Sequence, residues 1–463
     1  MTCRLCLKFA LSIFAALFLF PMGLLAAGKL LIVHATVLTM KPGDDAPFFG
    51  YILVGEDGKI QAVGRGEAPA GTSAAVVYDA RGEYVMPGFI SAHSHLSESA
   101  FRGLATDQHV YEYPSLAGWV DALQTAELPM IPEDYYWYTL QGALDHLVHG
   151  ITSVYNFSYA RDNNLGFQTY IWKAELDSGI RFIHSYELSG DVSAAEHEAA
   201  FAKFYEFTQK DAANPQVLRV ALSGWISSPR DLAIQAGLIR KYHLYSEIHY
   251  LESPANVAAQ QANFKYIVED GLLGPDVSFG HFIHTNDEIL RQTAAAGSGM
   301  VWNPLSNGRL ASGIADIPKY RAMGVRIGMG VDGEGSSDLP DPFENMRAGL
   351  YVIRAKYESA QVLQPIDVLR FHTIGSAQVL GVADKVGSLE PGKFGDILVI
   401  DTHLVERGPV RDPVAAIVLA CDETNLKSVY VGGDLLVNQG KLTKSDMTHV
   451  SQEVAARVQR KKN

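Results

Sequence analysis

The chain has 463 residues, 48% of them hydrophobic and 19% charged, and a formal charge of -13. That acidity excludes nucleic acid as a partner, because its binding needs a basic face. The length exceeds a typical single domain and suits an α/β barrel with a small companion domain.

The first 27 residues read as a secretory signal peptide. Arg4 and Lys8 precede an uncharged apolar run from Phe9 to Phe20, then Pro21 and the small pair Ala26-Ala27. An uncleaved anchor is the alternative, since the uncharged stretch Phe9 to Ala27 is long enough to span a bilayer. Cleavage after Ala27 would leave a charge of -15 and Cys421 as the remaining cysteine, so no intrachain disulfide could form. The expected location is periplasmic or secreted, with no stable membrane association after cleavage.

From Lys29 to Tyr84 the pattern is short and β-like: Leu30–Val33, Tyr51–Val54, Ile60–Val63 and Ala75–Tyr78. β-signals return in Asp396–Ile400, Ser428–Val431 and Asp434–Val437. Between them lie eight apolar strand candidates, near 84–93, 150–157, 180–187, 217–224, 245–250, 276–281, 299–303 and 326–332, alternating with helical stretches. Eight β-then-α units predict a closed parallel (β/α)8 TIM-like barrel with chemistry at the strands' C-terminal ends. The flanking segments are expected to join in one β-sandwich, because neither has enough strands to bury a core alone. The boundaries are a signal peptide at 1–27, sandwich halves at 28–84 and 381–445, the barrel at 85–380, and a tail at 446–463. The basic end Arg460-Lys-Lys462 reads as solvated.

Histidines and carboxylates fall at the ends of these strands. His93 and His95 close the first, in Met86-Pro-Gly-Phe-Ile-Ser-Ala-His-Ser-His95. Side chains alternate along a strand, so both imidazoles face one side and offer two nitrogen ligands to one divalent metal. His249 ends the fifth strand, with Glu252 three residues on, a spacing that also pairs side chains on a helix surface. His281 closes the sixth strand, and His284 beyond it reads as locally satisfied. His243 and His184 match no motif. Asp332 closes the eighth strand after a Gly-rich run, where a lone Asp is also a common turn residue.

Pro87-Gly-Phe-x-x-x-His-x-His95 resembles the first-strand signature of the amidohydrolase superfamily, metal-dependent hydrolases on a (β/α)8 barrel. His249-Tyr-Leu-Glu252, Trp302-Asn-Pro-Leu-Ser-Asn307 and Ala311-Ser-Gly-Ile314 before Asp332 are similar to its deaminase/chlorohydrolase-like branch. Val386-Gly-Ser-Leu-Glu-Pro-Gly-Lys-Phe-Gly-Asp396 resembles the segment that returns such chains from barrel to sandwich. The resemblance implies that His93, His95, His249 and Asp332 hold one Zn²⁺, or Fe²⁺, which lowers the pKa of water to about 7. It gives Asp332 the role of proton acceptor, His281 that of orienting the nucleophile, and Glu252 that of protonating a ring nitrogen or leaving amine. Binuclear relatives bridge two metals through a Lys at the fourth strand end; Val220–Ser228 contains none, so one metal is expected.

The implied activity is hydrolytic deamination of an amino-substituted N-heterocycle, purine-, pterin- or triazine-like. The alternatives are hydrolysis of another bond on the same scaffold (a halide or alkylamine, a cyclic amide, a peptide-like bond) and a non-catalytic exported binding protein. Tyr111, Tyr113 and Trp119, on the loop from Leu96 to Met130, suit stacking on a flat ring or packing the loop itself. Two departures argue against a nucleoside. Gly224-Trp-Ile-Ser-Ser-Pro229 stands where such members carry His-x-Pro-Tyr, and Asp145 stands near an expected substrate-binding Glu. The resemblance also implies a homo-oligomer and a small-molecule substrate.

Overall fold

The computed structural model describes residues 28–460 except 45, 128–129, 161–164, 189–191, 226–228 and 402–411. The signal peptide expected over 1–27 and the pair Lys461-Lys462 lie outside the described residues.

Eight parallel strands form the barrel. They are Phe89–His95, Ile151–Phe157, Arg181–Glu187, Val217–Trp225, Tyr245–Tyr250, Val277–His281, Gly299–Trp302 and an eighth strand in two pieces, Arg326–Met329 and Asp332–Gly333. The upper piece pairs with the first strand, Asp332 opposite Ser94 and Gly333 opposite His95, and so closes the ring. Ile151–Phe157 and Arg181–Glu187 are buried at every position, as expected where side chains fill the interior and helices cover the outside. The barrel puts the C-terminal ends of all eight strands at one mouth.

The segment near 84–93 is two strands rather than one. Tyr84–Pro87 leaves the barrel to pair with Ile397–Ile400 and with Thr36-Val37. The break falls at Gly88, where a Cβ would lie 2.0 Å from Thr152 Oγ1, so close approach of neighbouring backbone requires glycine. Through Tyr84–Pro87 the N- and C-terminal β segments join in one nine-stranded sheet. Lys441–Leu442 adds a short strand with no signal in the sequence.

That sheet is locked to the foot of the barrel by a buried ion pair. Arg181, at the start of the third strand, donates from Nε and Nη2 to the two oxygens of Asp396 at 2.7 and 2.9 Å. Its Nη1 donates to the Pro215 carbonyl, and Asp396 also accepts from the Gly432 amide.

The tail expected over 446–463 is instead structured up to residue 460. Met447–Arg460 is a helix whose Val450 and Val454 are buried. Arg460, read as solvated, donates to both oxygens of the fully buried Asp134 at 2.8 and 3.0 Å. The physical reason is amphipathicity: apolar residues at positions 450 and 454, four apart, make one helical face.

Candidate metal centre

His93, His95, His249, His281, Glu252 and Asp332 meet at the barrel mouth, each no more than 3% exposed. Their donor atoms form two triads that share His93: His93 with His249 and His281, and His93 with His95 and Asp332. Within each triad the atoms lie within 4.8 Å of one another. His95 Nε2 is 3.2 Å from Asp332 Oδ1, and His281 Nε2 is 3.9 Å from Oδ2. Two of these residues have left-handed backbones, His281 at φ 64° and Asp332 at φ 64°. Such conformations cost about 1–3 kcal/mol each and concentrate at functional sites.

Hydrogen bonds fix how each ring is presented. His93 Nδ1 bonds the carboxylate of Glu247, which is wholly buried, and this leaves Nε2 facing the ring of ligands. That Nε2 is buried without a hydrogen-bond partner, 3.5 Å from Asp332 Oδ1. His95 Nδ1 donates to the Phe157 carbonyl at 2.8 Å, which likewise turns Nε2 inward. Carboxylate or carbonyl support behind a metal-binding imidazole sets its tautomer and raises its basicity. Asn307 Nδ2 donates to His281 Nδ1 at 2.8 Å, so His281 carries its proton on Nε2. Ser306 Oγ donates to Asp332, and Ser312 Oγ to Glu252 at 3.3 Å.

The electrostatics favour a bound cation. Burial pushes the His95 and His249 imidazoles down, and that of His281 down to about 3, so all three stay neutral and able to ligate or donate. Burial would also depress His93, but Glu247 and Asp332 on either side push it up to about 10. The Asp332 carboxyl, which burial alone would raise, is held well below the usual carboxylate range by His93 and His95. Three neutral imidazoles, those of His95, His249 and His281, and one ionised carboxylate make a donor set suited to a divalent metal, Zn²⁺ among them, and His93 Nε2 joins it once the ion displaces its proton. Burial, then Asp332, pushes the Glu252 carboxyl up to about 8.

All six site residues expected from the sequence are brought together. Of the two readings of the loop aromatics, packing of the loop itself holds for Trp119 and Tyr111, which are buried, Trp119 Nε1 donating to the Gly335 carbonyl at 3.1 Å. Tyr113 bonds Asn263. The aromatic ring stacked at the site is Tyr159, 4.3 Å from His95 at 13°, its hydroxyl 3.3 Å from Nε2. Asp145, aligned near a substrate-binding Glu, is tied to Arg102 and His149. The sequence reading missed Glu247, although it lies two residues before His249 on the same strand face, a signal it could have used.

A closed (β/α)8 barrel with a His/Asp metal site at its mouth and a split β domain at its foot defines a metal-dependent hydrolase. Residues 84–436 match the model of the amidohydrolase family, and the chain belongs to that family, in its deaminase/chlorohydrolase-like branch. Its class is that of hydrolases acting on carbon–nitrogen bonds other than peptide bonds. The chain is 28% identical to a 5-methylthioadenosine/S-adenosylhomocysteine deaminase from Desulforamulus reducens, over 93% of this chain and 99% of that one. It is also 28% identical to a 5'-deoxyadenosine deaminase from Methanobrevibacter smithii, over 90% and 94%. Among solved structures, an adenosine deaminase from Xanthomonas campestris with bound zinc superposes with a TM-score of 0.81 at 22% identity, covering 94% and 99%. An atrazine chlorohydrolase from Arthrobacter aurescens, complexed with zinc, gives 0.81 at 22%, covering 93% and 100%.

Proposed function

We propose that this chain is a mononuclear zinc enzyme that hydrolytically deaminates an amino-substituted N-heterocycle of purine, pterin or triazine type. The carrying observation is Glu252, a buried carboxyl whose Oε1 stands 3.4 Å from His281 Nδ1 beside the His/Asp ring, where a departing amine needs a proton. The names of the relatives support the same reaction class. Export through residues 1–27 belongs to this reading too, on the order of Arg4 and Lys8, the apolar run from Phe9 to Phe20 and the small pair Ala26-Ala27.

His93, His95, His249 and Asp332 would hold the ion, whose chemistry is to activate water for attack on the ring carbon. Asp332, kept ionised, accepts the proton released from the attacking water. Ser306 holds the Asp332 side chain in place by donating to its Oδ2. His281, with its proton on Nε2, donates to the oxygen of the tetrahedral adduct. Glu252, whose carboxyl is pushed up by burial and by Asp332, hands its proton to the ring nitrogen or the amine. Tyr159 and Phe157, both buried against His95, wall off water around the reacting ring.

The test is ammonia release by the zinc-loaded chain across purines, pterins, triazines and pyrimidines, with Asp332→Asn as the blank. Release abolished in the blank is the expected result. Silence across the panel, with one metal bound per chain, would overturn deamination and point to the alternative leaving groups, halide or alkylamine, on the same metal site.

A further inference from the structure

One short segment, Ser306 to Ser312, touches all three groups that move protons or hold the adduct in the mechanism above. Ser306 donates to Asp332, Asn307 to His281 Nδ1 at 2.8 Å, and Ser312 to Glu252 at 3.3 Å. The segment starts in the helix Pro304–Arg309 and closes on itself, the Ser312 amide donating to the Asn307 carbonyl at 2.9 Å. A shift of it therefore displaces the partners of Asp332, His281 and Glu252 together. Misplacement of reacting groups by about 1 Å costs on the order of 10²-fold in rate.

Arg309 stands in the middle of this segment and reaches out of it to two other loops of the mouth. Nη2 donates to the Leu104 carbonyl at 2.9 Å, on the loop that follows His95. Nε donates to Asp338 Oδ2 at 3.0 Å, on the loop that follows Asp332. Asp338 also ties those two loops to each other. Its Oδ1 accepts from the Gly103 amide at 2.6 Å and its carbonyl from Arg102 Nε at 3.0 Å, on a left-handed backbone of φ 66°. The remaining guanidinium nitrogen of Arg309, Nη1, is buried without a hydrogen bond, a cost that packing gives no reason to keep. Other bonds hold the ends of the stretch, from the Leu305 amide to Asn345 and from His284 to the Ser312 carbonyl. Arg309 sets its register against the two loops.

We propose that Arg309 is a positioning residue for the reaction, holding residues 306–312 in register with the loops that follow His95 and Asp332. The proposal rests on the deaminase reading for the reaction it serves. Two donors of one planar guanidinium fix direction as well as distance, which the single point charge of a lysine does not. Arg309 acts through Ser306, Asn307 and Ser312, so its loss falls on the proton-transfer steps. It shows in kcat and leaves KM nearly unchanged.

The experiment compares wild type, Arg309→Met, Arg309→Lys, Asp338→Asn and the Met/Asn double variant as full-length protein. Turnover is read by ammonia release from the zinc-loaded chain, and the metal site by the visible absorption of the Co²⁺-loaded chain. Expected in Arg309→Met is a fall in kcat of about tenfold or more, with KM within about threefold. The Co²⁺ band should shift in the same variant, because Ser306 moves against Asp332. Arg309→Lys should recover part of kcat. Asp338→Asn keeps an oxygen for the Gly103 amide but turns a donor toward Arg309, and should lose less than Arg309→Met. The double variant should be no slower than Arg309→Met, because the two residues share one interaction. A lowered thermal midpoint with kcat and the Co²⁺ band unchanged would overturn the proposal and leave Arg309 a packing residue. A rise in KM at constant kcat, or losses that multiply in the double variant, would overturn it as well. Should wild type release no ammonia from any compound, the deaminase reading fails, and the Co²⁺ band of Arg309→Met still decides the role of Arg309. If Arg309→Met does not fold, Arg309→Lys and Asp338→Asn carry the comparison, and wild-type kcat and band in both overturn the proposal.

Discussion

Two buried charged clusters lie at opposite ends of the barrel, and they are built on opposite principles. At the foot, Arg181 and Asp396 meet in a two-bond fork, and the Pro215 carbonyl and Gly432 amide take up further bonds. At the mouth, His93 Nε2 is left without a hydrogen bond, and His281 and Asp332 sit in left-handed backbone. A satisfied cluster holds two parts of a fold together. An unsatisfied one, kept at a cost in stability, is poised for a ligand.

The comparison predicts that mouth variants lose activity and keep stability, while foot variants do the reverse. The largest effect is expected from Asp332→Asn, which removes the carboxylate shared by the imidazoles. Turnover should fall by about 10³-fold or more, with metal per chain reduced and the thermal midpoint of the metal-free protein no lower than that of metal-free wild type. A midpoint that collapses with activity would dissolve the contrast. At the foot, Asp396→Ala leaves a buried guanidinium unpaired and should cost about 3–5 kcal/mol of unfolding free energy, measured by denaturant titration. Whatever remains folded should keep its metal and its kcat.

Glu252→Gln tests the proton donor, with an expected loss in kcat of about 10²-fold or more. The pH dependence has a definite sign. A carboxyl pushed up to about 8 is protonated below that value, so kcat should fall as pH rises through it. A bound cation favours the carboxylate form and shifts this limb to lower pH, never higher. The limb should vanish in Glu252→Gln; its persistence there would assign it to another group.

What the sequence made legible follows from what kind of signal each residue leaves. Residues 245–250 were placed to the residue, because the β-favouring Tyr245, Ile248 and Tyr250 are followed at once by the turn residues Ser253-Pro254. The site histidines were legible because strand ends and the period of two restrict where ligands can stand. The break at Gly88 was not, since it depends on Thr152 crowding it from a neighbouring strand. Nor was the helix Met447–Arg460 read from a basic end, because its anchor Asp134 is more than 300 residues away in the chain. Trp119 shows the same limit in the site itself. An aromatic in a long loop suits stacking on a substrate, but here its indole is buried and bonded to Gly335, and Tyr159 takes the place at His95.

The smallest expected effect is the one that most sharpens the contrast between the two ends. Glu247 is as deeply buried as Asp396 and also bonds a basic partner, so by its contacts alone it could belong to either kind of cluster. Its second oxygen accepts from Ser278 at 3.1 Å, and it touches the metal site only through His93 Nδ1. Glu247→Gln keeps the shape and one hydrogen bond while removing the charge that raises His93. If Glu247 serves the mouth, metal affinity should drop about 10- to 100-fold, read by competition with a chelator, and the thermal midpoint of the metal-free protein should barely move. If it serves packing instead, the midpoint falls and metal affinity holds. The first outcome is expected, because the neutral amide no longer draws the proton onto Nδ1, and Nε2 loses the tautomer that faces the ligand ring.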